Sequence, residues 1–457
     1  MQSFTIDKND WIRGVSITEE HNDGGFSPRR KGHNLSLGQA GVLYPQPAAQ
    51  DLNTGGTTVT DEIIAFTADP SFLGNDAYAL DESGAFYTVS GTTVTKRQTD
   101  AVKSYVLGTS HIKTFKGSLF ATSTTDIAKL DNSNLTAIDN DWWTTTAGES
   151  ALQSSYRHPL EVVEDTLYIA DQYRIHTYDG STTVYEAMTL PTEYNITNLI
   201  VHNDGRHLLA FCAETANFSH TKRARAKLFM IDTLTLEFVR ELDIDAQIEG
   251  SINVGGVIYV TYENNLGYFN GDGITFLRKL KNTSTTTTYS HNLANVEGIL
   301  AVREEGSLLF YGNLGLGNVF WYPWTNTPLI KGIFYYGDNK MLTSSSDQRM
   351  SLLDFDTFAG SGSLESNPYT FPSKVWIRKI VVQTEALASG SNISFVSVDK
   401  NGTTSTIMTM NHTTDGAISE KTQFCNIFTD VFRLRINFDF LQTKGVRKII
   451  IYYEDGE

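Results

Sequence analysis

LYIADQYRIHTYDGSTTVYE, residues Leu167–Glu186, carries the pattern that decides the fold. Leu167, Ile169 and their neighbours form an apolar run that stops at the polar step Asp171–Tyr173. A second alternating run, Arg174–Tyr178, ends at Asp179-Gly180, and a third follows. Asp-Gly tolerates positive φ at low cost and favours tight hairpins. The stretch therefore predicts consecutive antiparallel strands.

The same grammar returns along the chain. AYALDESGAFYTVSGTTVTK (77–96), LFATSTTDIAKLDNSNLTAI (119–138) and IYVTYENNLGYFNGDGITFL (258–277) align under it. Looser copies lie at 208–239, 299–313 and 341–358. The strand that opens each copy begins at Tyr78, Phe120, Tyr168, Leu209, Tyr259, Leu300 and Leu342, roughly 41 to 50 residues apart, the period of four-stranded propeller blades. A single blade cannot cover both its faces, so packing around an axis requires repetition. Seven blades is the best count, with six and eight left open by the degenerate copies. Thr60–Asp69 (TDEIIAFTAD) is expected to give the outer strand of the last blade and close the ring. His176 and Asp171 are not read as a catalytic pair, because other copies carry different residues there.

Composition supports an all-β reading. Helical periodicity is nearly absent, while Thr, Ser, Gly, Tyr and Phe abound. With 40% hydrophobic residues the chain can build real cores. A net charge of −16 argues against direct nucleic-acid recognition or an anionic-membrane partner. No run reaches the length of a membrane span, and MQSFTIDKNDWIRG lacks the apolar core of a signal peptide. Cys212 and Cys425 sit in apolar runs and are expected as buried free thiols.

The expected organisation is an extended N-terminal arm over 1–58, a β-propeller over 59–360, a linker over 361–371 and a small β-sandwich or jelly roll over 372–457. The linker is drawn from AGSGSLESN (359–367). Beyond it, Phe432, Leu434, Ile436, Phe438 and Phe440 alternate with Arg433, Arg435, Asn437 and Asp439, a strand with one dry and one wet face. The arm contains NDGGFSPRRKGHNLSLGQAGVLYPQPAAQ (22–50), where no alternation persists. Its apolar anchors favour ordering by a partner chain, and Phe26, Pro28, Arg29, Arg30, Lys31, Leu43 and Tyr44 are the candidate contacts.

An arm with a GGFSP…GVLY pattern, then a propeller, then a small β-sandwich resembles virion proteins of tailed bacteriophages, including the nozzle and other tail or neck components. The resemblance implies a non-enzymatic subunit located in the virion and assembled in the host cytoplasm. It implies contacts with copies of itself, in a homo-oligomeric ring, and with neighbouring tail proteins.

Chemistry-bearing motifs are sparse. The ten histidines are scattered without His-x-x-x-His or Cys-x-x-Cys spacing, so neither metal nor cofactor is expected. Asn270-Gly271-Asp272-Gly273 resembles a fragment of a calcium loop, but turn chemistry is the simpler reading. No nucleophile elbow or phosphate loop appears, and no carboxylate pair stands out, so an enzyme is not expected. Trp142-Trp143 and Trp321-Tyr322-Pro323-Trp324 read as aromatic clusters in loops, suited to packing between blades or to subunit contact, with glycan stacking the less favoured alternative. The basic run Lys222, Arg223, Arg225 and Lys227 reads as a projecting hairpin for an acidic neighbour. The alternative function is a glycan-binding or glycan-cleaving propeller that recognises a host surface glycan.

Overall fold

The computed structural model describes residues 1–7, 31–33, 35–37, 43–45, 47–52, 59–68, 77–131, 135–214, 225–244, 246–280, 292–304, 307–313, 319–325, 330–337, 340–345, 348–358, 361–366, 368–439 and 445–456. The protein is all-β, with a β-propeller arrangement of four-stranded antiparallel sheets. Two compact units are formed, one from 51–306 and 327–352, the other from 1–50, 307–326 and 353–457.

Five strands come first: β1 (Gln2–Ile6), β2 (Lys31–His33), β3 (Leu35–Leu37), β4 (Leu43–Pro45) and β5 (Pro47–Asp51). The first sheet follows as β6–β9 (Ile63–Thr67, Ala77–Asp81, Ala85–Ser90, Thr93–Thr99). Next come β10–β13 (Ile112–Phe115, Ser118–Thr122, Ile127–Asp131, Ile138–Asp139) and β14–β17 (Leu160–Val163, Thr166–Asp171, Arg174–Tyr178, Thr183–Thr189). The series continues with β18–β21 (Asn195–Val201, His207–Ala213, Ala226–Asp232, Glu237–Ile244) and β22–β25 (Gly250–Val254, Val257–Tyr262, Asn265–Phe269, Ile274–Lys279). The sixth is β26–β29 (Leu293–Val296, Ile299–Glu304, Ser307–Asn313, Val319–Thr325). These six sheets are each made of four consecutive strands. A further sheet is composite: β30 (Ile330–Gly337), β31 (Lys340–Ser345) and β32 (Met350–Phe358) are followed in strand order by β5.

Two expectations are corrected. The strand expected to open each copy is the second of its sheet: Tyr78, Phe120, Tyr168, Leu209, Tyr259, Leu300 and Leu342 lie on β7, β11, β15, β19, β23, β27 and β31. Five of the true first strands are short (IIAFT, IKTF, LEVV, GSINV, LANV), the other two are NITNLIV and IKGIFYYG, and all seven are dissimilar, so their repetition is weak. Ile63–Thr67 does not close the last sheet either. It is β6, the first strand of the first sheet, and β5 takes the outer position beside β32. Leu52 N donates to Met350 O at 2.9 Å, and the Arg349 guanidinium meets Asp51 at 3.1 Å.

Strand periodicity explains why the sheets stack. In β7, Ala77 and Ala79 enter one core while Tyr78 and Leu80 enter the next. In β15, Leu167 and Ile169 face one core and Tyr168 and Ala170 another. In β19, Leu208, Ala210 and Cys212 are divided in the same way from Leu209 and Phe211. Alternate side chains leave opposite faces of a strand, and here both faces are dry. Cys212 is a buried free thiol as expected, while Cys425 is only half-buried.

The turns of Leu167–Glu186 are hairpin turns. Asp179 Oδ1 accepts from Ser181 N and Thr182 N, both at 2.7 Å, and Gly180 has φ 98°. Gly84 is under a harder constraint. At φ +80° its missing Cβ would stand 2.3 Å from the Asp100 carbonyl oxygen.

In the other unit β33 (Ser361–Glu365), β34 (Tyr369–Thr384), β35 (Asn392–Val398), β36 (Thr404–Asn411), β37 (Glu420–Asp439) and β38 (Val446–Asp455) build a ten-stranded network with β1–β4. The N-terminal half of β37 pairs with β34, and its C-terminal half lies between β33 and β35. Phe432, Leu434, Ile436 and Phe438 are buried as the alternation predicts. Phe440 and the side chain of Asp439 lie outside the described residues. On the wetter face Glu365 lies between Arg435 (2.7 Å) and Arg433 (3.2 Å). Burial alone would raise the Glu365 carboxyl, but these two guanidiniums outweigh it and hold it below the ordinary value.

The arm and linker are corrected here. The expected linker contains β33, paired with β37 from Ser361↔Asp439 to Glu365↔Arg435. The arm is tied to its own chain: β1 pairs with β38, β2 with β33, β3 with β4, and β4 with β38 at Leu43↔Val446. In the described parts of the arm, such ladders satisfy extended backbone that would otherwise leave donors and acceptors open.

Ile6 lies in the same core as Ile377, Phe395 and Ile449 and is 3% exposed. Ile6→Ala is expected to destabilise this unit by about 2–4 kcal/mol, seen as a lower urea midpoint. Gly84→Ala is expected to cost more than about 1 kcal/mol, because both φ and the Asp100 carbonyl oppose a side chain.

Candidate functional site

Trp142 and Trp143 do not form an exposed contact surface. They open a five-residue π-helical turn after β13 and are 4% and 0% exposed. Trp142 meets Phe120 at 5.1 Å and Tyr178 at 5.0 Å between ring centroids. Trp143 Nε1 donates to Ser150 O at 2.9 Å, which satisfies its only polar group. Lys129 Nζ stands 5.6 Å from the Trp142 centroid and 5.7 Å from those of Phe120 and Tyr178. The pair packs consecutive sheets together, so its assignment to partner binding is corrected. The loop setting of Trp321 and Trp324 is also corrected: both lie on β29, paired with β28.

Of the arm residues, Lys31 lies on β2 and Leu43 and Tyr44 on β4, all in ladders with their own chain. Phe26, Pro28, Arg29, Arg30, Lys222 and Arg223 lie outside the described residues.

Arg225 and Lys227 border a cleft of about 790 Å³ with Tyr194, Asp243, Tyr262 and Glu263. The basic charge here is locally matched. Arg225 faces Glu214 at 3.8 Å, and Lys227 pairs with Glu241 and lies 3.5 Å from Asp243. The hydrogen bond to Glu241 raises the Lys227 pKa above its ordinary value. Cross-strand register produces the match, since Lys227 sits opposite Asp243 on β21. The described end of the basic run is therefore a mixed-charge cleft. Asn270–Gly273 is a turn: Asn270 Oδ1 accepts from Asp272 N and Gly273 N, both at 2.9 Å.

His176 and Asp171, set aside as a catalytic pair in the sequence, do meet in a buried polar cluster, together with His158, which the sequence reading missed. His158, just before β14, is 0% exposed, as is His176 on β16, and Asp171 at the end of β15 is 1% exposed. His158 Nδ1 lies 3.5 Å from Asp171 Oδ1, and that oxygen accepts from Gln153 N at 2.9 Å. His176 Nδ1 accepts from Glu186 N at 2.8 Å, and its ring stacks on Tyr185 at 4.5 Å. Burial pushes Asp171 up to about 6 and both His158 and His176 down to about 4. Arg174 adds to the depression at His176 and opposes the rise at Asp171. The cluster can exchange protons with acid conditions, but its burial gives no substrate access. The sequence signal for it was the nearby Asp171 and His176 in one copy, and nothing in that copy pointed to His158.

No family model matches the chain, and no curated protein matches it. Among solved structures it is similar to Raptor of Chaetomium thermophilum, at 10% identity and TM-score 0.45, over 67% of this chain and 30% of that one. It is also similar to the GH74 enzyme of Niastella koreensis, at 12% identity and TM-score 0.43, over 79% and 67% of the two chains. A third is the WD40 β-propeller domain of Doa1, at 8% identity and TM-score 0.42, over 67% and 96%. The chain thus spans under a third of the length of the Raptor chain.

Trp143→Ala is expected to cost about 3–5 kcal/mol of stability, the scale for emptying a large core site. A surface role would instead leave the urea midpoint unchanged. The buried cluster sets an acid limit. Both histidines contribute stability above pH 6.5 that is lost as pH falls towards 4. Asp171 acts oppositely, with a penalty present above pH 6 that is relieved as pH falls towards its ordinary 3.8. The net is one proton, so these groups lower stability by about 1.4 kcal/mol per pH unit between roughly pH 6 and 4. Replacing both His158 and His176 by Gln leaves only the opposite Asp171 contribution, so in urea titrations at several pH values the slope from this cluster is expected to reverse in sign.

Proposed function

We propose that the chain is a structural, non-enzymatic component of a tailed-phage virion, nozzle-like or from another part of the tail or neck. In this reading it assembles with copies of itself and with neighbouring tail proteins. The carrying observation is the N-terminal half of β37. Glu420–Thr429 is registered to β34 alone among the described residues, and Phe424 and Phe428 on it are 75% and 45% exposed. Phe428 meets Trp376 at 4.7 Å between centroids, and Lys374 Nζ lies 5.4 Å from its ring. Burying a Phe side chain gains about 1.5–3 kcal/mol, so two of them on an open strand edge favour a covering surface.

The same proposal covers the finer architecture. A seven-bladed ring is supported by the composite sheet and by the packing of β30 against both β26 and β6. A C-terminal β-sandwich is supported by one core shared among β34, β35, β37 and β38. The arm works here as part of the second unit and not as a free tether. Deleting residues 1–50 would therefore remove four strands of a sheet and report on folding before assembly.

Light scattering on the purified chain tests self-association. Wild type is expected to form a defined oligomer, and Phe424→Asp with Phe428→Asp to shift it to monomer with unchanged circular dichroism. Mass spectrometry of purified virions from the encoding phage tests the location. A monomeric wild type absent from virions overturns the proposal.

A further inference from the structure

We infer that the turn between β18 and β19 is a binding site for a borderline divalent transition-metal ion such as zinc, held by His202, Asp204 and His207. The inference is independent of the role proposed above. The turn reads His202-Asn203-Asp204-Gly205-Arg206-His207. His202 N donates to His207 O at 2.8 Å, which makes the two histidines the closing cross-strand pair. Residues in such a pair project from the same face of the hairpin. Gly205, at φ 71°, turns the chain, and its N donates to His202 O at 3.0 Å.

The Asp204 carboxylate divides its work. Oδ1 accepts from Arg206 N and His207 N, both at 2.9 Å, and so is fixed by the turn. Oδ2 points between the imidazoles, 2.8 Å from His202 Nδ1 and 2.6 Å from His207 Nδ1. The three donor atoms lie within 4.8 Å of one another. The nearby cation is engaged elsewhere, since Arg206 pairs with Asp232. A carboxylate oxygen between two imidazole nitrogens is the donor set of a zinc, copper or nickel site and a poor match for calcium or magnesium.

The geometry needs only a small adjustment. Zinc bonds of about 2.0–2.1 Å in a tetrahedron set donors roughly 3.3 Å apart. The rings must therefore withdraw by about half an ångström. The side chains are 20–39% exposed, which leaves room for that movement and for water at a fourth position. His-x-Asp-x-x-His is not a helical metal spacing. The hairpin, not helical periodicity, brings its ends together.

The test is titration of the full chain, stripped with chelator, with zinc chloride, followed by calorimetry. One equivalent is expected to bind, and His202→Ala or His207→Ala to weaken it at least about tenfold. His412→Ala, outside the turn, is expected to bind as wild type does. Copper(II) loading gives a second readout insensitive to small stability losses. Electron paramagnetic resonance is expected to show two nitrogen couplings in wild type and one in His202→Ala. Absence of stoichiometric binding, or equal affinity in wild type and both turn variants, overturns the site. So does an unchanged nitrogen count in His202→Ala.

Discussion

The structure depends on one constraint: a β-strand has two faces, and in these sheets both must be dry. Tyr78 and Leu80 feed one core while Ala77 and Ala79 feed another, and the pattern continues through β15 and β19. Each sheet is thus the shared wall of two cores. Stability is then distributed over nearest-neighbour interfaces, as in other repeating architectures. A polar residue on either face must find partners locally. Asp81 does so by accepting from Ala85 N, Ser83 and Tyr87.

The same constraint explains what was legible in sequence. Apolar runs such as AYALD and LYIAD, ended by turn residues, announce the second and third strands of each sheet. The first strands were missed because LEVV or IKTF, read alone, carry no turn signal and little repetition. The alternation in β37 was readable because there one face is wet. The arm was misjudged for a related reason. Its strands are only three to five residues long, and apart from the β3–β4 pair their partners lie hundreds of positions away.

Site residues were less legible than fold. Trp142-Trp143 looked like a loop surface because no strand periodicity surrounds it, yet the π-helical turn folds both indoles inward. His158, Asp171 and His176 meet only through the pairing of β15 with β16 and the entry into β14. Register, which brings Ile169 opposite His176, is a tertiary fact that no local spacing encodes. The turn holding His202 and His207 was within reach, since Asp-Gly at its centre predicts a hairpin and the flanking histidines then become neighbours.

The clasp at Asp51 and Leu52 also bears on how the chain folds. This segment is made early, but Arg349 and Met350, which hold it, are made about three hundred residues later. Closing such a loop costs on the order of 5 kcal/mol in chain entropy. During synthesis the composite sheet waits with an open edge at each end, and sheets already paired from consecutive strands can form ahead of it. Completing the composite sheet is therefore the late, non-local step.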